Sequence, residues 1–150
     1  MNLPANPVTN IRRPAPGAGR NRRLSPEEQA RLLAAVDQHS NPMMGWIVRI
    51  ALGSGMRWSE ILTLRKSQVD LKRRIVRLLK TKNTQPRTVP LTLSAVEMFR
   101  KAIENPVRPD DADLIFLGAP GRDGIRRPYQ FDRMWQAINE EGRLEGLPVS

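Results

Sequence analysis

Apolar and polar positions along this chain fall into blocks with helical or alternating spacing. Ser25-Pro26-Glu27-Glu28 reads as an N-cap, a proline at the first helical position and a capping-box glutamate. Leu32, Leu33 and Val36 follow at helical spacing, so a first helix buries one stripe and ends near Gln38. Asn41-Pro42 starts a second helix in the same way. From Met43 to Leu52 that helix is apolar apart from Gly45 and Arg49, the pattern of a central, enclosed helix. Gly53-Ser54-Gly55 ends it and turns the chain into a short helix headed by Arg57. On that helix Arg57, Ile61 and Leu64 share a face with Glu60 beside it, which predicts a buried arginine stem whose head needs an anion.

Residues 74–79 and 87–91 read as two strands, with Asn83-Thr84-Gln85-Pro86 supplying the turn between them. Pro90 cannot donate to a ladder, so it belongs at a sheet edge or a strand end. Thr92 caps a helix over residues 93–104, with Val96, Phe99 and Ile103 inward. Asp113 to Phe116 is a short strand candidate, Gly118 to Arg127 a loop, and residues 129–144 a last helix using Phe131, Met134, Trp135 and Ile138. The fold class these elements predict is α+β, mainly helical with a small antiparallel β-sheet.

Composition adds a partner. The net charge is +10 and 39% of positions are hydrophobic, with a pI near 11.3. Such a balance favours a polyanion, most often nucleic acid, over an anionic membrane surface. No window is apolar or long enough to span a bilayer, and the N-terminus has no signal-peptide core. Residues 1–24 are rich in proline, glycine and arginine and hold Arg12, Arg13, Arg20, Arg22 and Arg23 with no acid, which predicts an extended basic linker or arm. Cysteine is absent and there is one histidine, His39, so thiolate chemistry and a histidine-cluster metal site are excluded by count, and a cytoplasmic location is expected.

A second basic stretch holds Arg65, Lys66, Lys72, Arg73, Arg74, Arg77, Lys80, Lys82 and Arg87 against one acid, Asp70. It predicts a face for backbone phosphates, with salt-sensitive contacts; the plainer reading is a solvated surface. Lys82, at the mouth of the hairpin turn, can reach a bound phosphodiester and give a proton to a leaving alkoxide, or be an ordinary turn lysine. Arg57 and Glu60 can grip a phosphate, or form a surface i,i+3 ion pair. Tyr129 reads as packing, His39 as an exposed residue after a helix end, and Trp46, Trp58 and Trp135 as core.

Four segments carry a resemblance to the catalytic domain of tyrosine recombinases, the phage integrase family. Leu24-Ser25-Pro26-Glu27-Glu28 resembles the family's opening helix, and Gly53-Ser54-Gly55-Met56-Arg57-Trp58-Ser59-Glu60-Ile61-Leu62 the box around its first catalytic arginine. Val69-Asp70-Leu71 is similar to the connection into its small sheet. Thr81-Lys82-Asn83 with Pro86-Arg87-Thr88-Val89-Pro90-Leu91 is similar to its catalytic-lysine hairpin. The match covers roughly residues 20–147.

The resemblance implies site-specific DNA recombination or integration. A tyrosine attacks a phosphodiester, a 3′-phosphotyrosine link forms and a 5′-hydroxyl leaves, without metal or nucleotide cofactor. Arg57 would be the first charge-stabilising arginine, Glu60 its support and Lys82 the acid, with Arg20, Arg22, Arg23, Lys66 and Arg87 on the DNA. Double-stranded DNA is the expected partner, with other recombinase protomers beside it and no membrane. The family's His-x-x-Arg box and tyrosine nucleophile are expected beyond Gly146-Leu147-Pro148, so residues 25–150 read as a partial catalytic domain, inactive alone. A stand-alone DNA-binding protein derived from an integrase is the alternative.

Overall fold

The computed structural model describes residues 23–79, 85–109, 112–132 and 135–136. Helix α1 spans Pro26–Gln38. Its capping box is closed: Glu28 N donates to Ser25 Oγ at 3.2 Å and Ser25 N donates to the Glu28 carboxylate at 2.9 Å. Helix α2, Pro42–Ser54, starts with Met43 N donating to Asn41 Oδ1 at 3.0 Å. It stops at Gly55, whose left-handed φ of 66° lets its N–H return to Ala51 O. Helix α3 is Trp58–Leu62, and α4 is Leu93–Ile103 with Thr92 as its cap.

Between α3 and α4 the chain makes a 3-10 turn, Lys66–Gln68, and an antiparallel sheet of β1 (Val69–Asp70), β2 (Ile75–Leu78) and β3 (Arg87–Pro90) in the order β1-β2-β3. Pro90 closes an edge strand, opposite Ile75, where its missing N–H costs no ladder bond. Val76 and Leu78 point into the core while Arg77 stays outside, the alternation of a half-buried strand.

The core joins Leu32 and Val36 of α1, Met44, Ile47 and Ile50 of α2, Ile61, Leu64, Val76, Phe99 and Phe116. Helix α2 packs on both α1 and α4. The approach to α4 depends on Gly53: a Cβ there would meet Thr92 Oγ1 at 2.6 Å. Leu52 is exposed, as is Pro42 at the helix start; the residues between them are buried or half-buried.

Two expectations fail in the segment after α4. Asp113 to Phe116 is not a strand; within it Leu114 makes a single bridge to Arg65. Ile115 and Phe116 are both buried, so this segment is driven by consecutive burial rather than alternation. The predicted loop over 118–127 instead holds most of a hairpin, β4 (Leu117–Pro120) with β5 (Arg126–Pro128). Gly118 and Pro120 hid the strand signal; at Gly118 a Cβ would sit 3.3 Å from Arg127 O, so the close approach itself favours glycine. Of the helix expected over 129–144, residues 131–132 and 135–136 are helical, Tyr129 and Gln130 precede it, and the remainder lies outside the described residues.

Candidate functional site

The left-handed turn at Gly55 sends the chain into Arg57 with φ −67° and ψ 144°, an extended conformation. Arg57 is therefore the N-cap of α3 and not its first helical residue. This corrects the shared face: Ile61 and Leu64 are buried, whereas the Arg57 side chain is 68% exposed. The apolar neighbours enclosed on either side are Met56, which is buried, and Trp58, which packs against the core and stacks on Phe131. Arg57 stands on the rim of an open apolar groove of about 440 Å³ formed with α1, α2, Phe131 and Trp135.

Glu60 sits one turn on, with its side chain only 15% exposed. One carboxylate oxygen, Oε2, accepts the Arg57 backbone N–H at 2.9 Å and Nη2 of Arg87 at 2.9 Å. The other, Oε1, lies 3.6 Å from Arg57 Nη1. The half-buried carboxylate thus caps the helix, holds Arg87 tightly and holds the Arg57 head loosely. Arg87 begins β3 directly after the connection that carries Lys82, so the sheet brings two segments of the sequence pattern, residues 53–62 and 86–91, to one place.

Lys82, Arg20 and Arg22 lie outside the described residues, as does Lys80. Arg23 is exposed and Lys66 is half-buried, its backbone N–H donating to Asp113 O at 2.8 Å. The basic face is less free than its sequence suggested. Along the chain it opposed a single acid, but folding brings Glu60 to Arg87 and Asp113 to Arg65 (3.0 Å), while Asp70 faces Arg73 at 3.9 Å. Lys72, Arg74 and Arg77 are exposed and have no carboxylate partner among the described residues. Arg74 holds a left-handed φ of 56° in the turn between β1 and β2.

Three other groups fall away from the chemistry. Tyr129 is 7% exposed, its hydroxyl is buried without a hydrogen-bond partner among the described residues, and burial pushes its pKa above the ordinary 10.0. Burial of that kind penalises the phenolate a nucleophile requires. His39 is half-buried rather than exposed, and its Nδ1 accepts from Asn41 N at 3.1 Å across the α1–α2 corner. Arg108, which carries no sequence signal, donates Nη2 to the carbonyls of Ala112 and Leu114 and staples the segment leading to β4; burial lowers its pKa.

The helix-dominated α+β fold places the Gly-Ser-Gly-Met-Arg turn against the strand hairpin through the Glu60–Arg87 contact. The chain belongs to the phage integrase family, whose model matches residues 22–148. It is 40% identical over 90 residues to the shufflon-specific DNA recombinase of Escherichia coli, covering 60% of this chain and 23% of that protein. It is 44% identical over 71 residues to the integrase of Haemophilus phage HP1 (strain HP1c1), covering 47% of this chain and 20% of that one. The crystal structure of XerA recombinase superposes with a TM-score of 0.63 at 25% identity, over 95% of this chain and 48% of that one. The chain thus spans about a fifth to a half of the relatives it matches.

Proposed function

We propose that this chain presents Arg57 to a DNA phosphodiester as a charge-stabilising group of a site-specific recombinase. Glu60 supports that arginine, and Lys82 gives the leaving 5′ oxygen its proton. One observation supports the reading most: an exposed guanidinium is tethered, not neutralised, by a half-buried carboxylate that also anchors the strand following Lys82. Charge building on the non-bridging oxygens is complemented by such a pre-placed group without reorganisation. Membership of a family whose relatives include a DNA recombinase fits the same substrate.

The chain's own tyrosine does not serve as the nucleophile in this scheme, because Tyr129 is core. A nicked suicide duplex, which traps phosphotyrosine links, tests this. The expected outcome is salt-sensitive binding with no covalent adduct at Tyr129; a DNA-linked peptide containing that residue overturns it. Exposed Lys72, Arg74 and Arg77 favour a second reading, DNA binding without catalysis, which makes Arg57 one cation among many.

A further inference from the structure

We infer that Arg87 is a positioning residue whose task is to occupy Glu60, leaving the Arg57 guanidinium available to an anion. The inference rests on the phosphate-gripping role proposed for Arg57. It reassigns Arg87, which the sequence alone placed on the DNA backbone.

The geometry is unequal. Arg87 Nη2 is 2.9 Å from Glu60 Oε2, while Arg57 Nη1 is 3.6 Å from Oε1, beyond hydrogen-bond range. Exposure follows the same order, 39% for Arg87 and 68% for Arg57. A carboxylate that is 15% exposed needs a close cationic partner. Arg87 meets that need, so Arg57 is oriented through its backbone N–H and only lightly held at its head. Remove Arg87 and the charge on Glu60 is uncompensated beside Arg57. The carboxylate then draws Arg57 in and repels any incoming phosphate, two effects of one sign. If the charge of Glu60 is the intermediary, neutralising it must undo the damage.

The test uses the full chain, ¹⁵N-labelled, with inorganic phosphate as probe. The readout is the Arg57 Nε–H resonance, assigned by its loss in Arg57→Lys. In the unaltered chain the resonance should move with phosphate. Arg87→Ala should weaken that binding about tenfold, the effect of one unpaired charge several ångströms away near a surface. Glu60→Gln in the Arg87→Ala background should restore it to within about twofold, since the amide oxygen still accepts the Arg57 N–H while the charge is gone. An Arg87→Ala loss that Glu60→Gln leaves in place makes Arg87 itself the phosphate ligand and overturns the inference, as does an Arg87→Ala chain that binds normally. A resonance blind to phosphate in the unaltered chain instead overturns the role of Arg57. Should Arg87→Ala unfold by circular dichroism, Arg87→Gln with and without Glu60→Gln carries the same comparison.

Discussion

The indole of Trp58 stacks on the ring of Phe131, with centroids 5.8 Å apart and planes 17° from parallel. Phe131 in turn stacks on Trp135 at 5.5 Å. The residue that follows Arg57 is therefore clamped by a segment from the far end of the described chain. Truncating Phe131 to alanine removes both ring contacts and enlarges the groove beneath Arg57. The expected loss is about 3–5 kcal/mol of folding stability. Urea denaturation checks it, and an unchanged midpoint would mean the stack carries no weight.

Gly53 and Gly55 should respond differently to alanine. At Gly53 the new methyl meets Thr92 Oγ1 at 2.6 Å and Ala95 Cβ at 3.4 Å, so α2 and α4 must part, at about 1–3 kcal/mol. At Gly55 an added Cβ meets no described atom within 4 Å beyond its chain neighbours, and the penalty is the left-handed backbone, about 1 kcal/mol. Thr92→Ala in the Gly53→Ala background removes the clashing oxygen, at the expense of the α4 cap that Thr92 Oγ1 makes to Ala95 N, and should leave the Gly55 cost untouched.

Among the described residues the buried Tyr129 hydroxyl has no partner, so Tyr129→Phe should raise stability by up to about 1 kcal/mol. Its pKa is raised by burial, which sets the sign of the pH effect. Below the ordinary value of 10.0 both folded and unfolded chains keep the phenolic proton. Above it the unfolded chain releases the proton first, so stability falls as pH rises. Melting temperatures between roughly pH 8 and 11 should fall more steeply for the unaltered chain than for Tyr129→Phe. Parallel curves would show that the phenol titrates freely.

Binding to a non-specific duplex should weaken with salt. Replacing Lys72, Arg74 and Arg77 together by alanine should flatten the plot of log K against log salt by about 2–3 units, roughly 0.9 for each phosphate no longer neutralised. Arg57→Ala should flatten it by about one unit or less. A slope unmoved by the triple change would place the DNA on another face.

Catalysis should separate Arg57 from the rest. With the chain complemented by the remainder of a recombinase catalytic domain, Arg57→Ala should slow strand cleavage on the order of 10²-fold or more, with little change in DNA affinity. A rate within a few-fold of the unaltered chain would favour the binding-only reading.

What was legible along the chain was what depends on near neighbours. Ser25 with Glu28, Asn41 with Pro42, and Thr92 before α4 announce helix starts, because a cap is satisfied within three residues. The β2–β3 hairpin shows through the alternation of Val76 and Leu78 with Arg77. The β4–β5 hairpin did not, since Gly118 and Pro120 carry loop chemistry and its pairing is a matter of backbone approach. At the site, residue spacing paired Arg57 with Glu60, but a helical wheel misplaced the Arg57 side chain, which belongs to the residue before the helix.

The sequence by itself determined where α1, α2 and α4 start, the β2–β3 hairpin, the basic character and the family, all written in short-range spacing or in motif order. Tertiary structure alone decided which acids reach which arginines: Glu60 meets Arg87 across 27 positions, and Arg65 meets Asp113 across 48. It also decided that the Arg57 side chain faces solvent. The physical reason is that ion pairing and burial depend on distance in space, and a chain folded through α2, the sheet and α4 brings together charges that no local pattern relates.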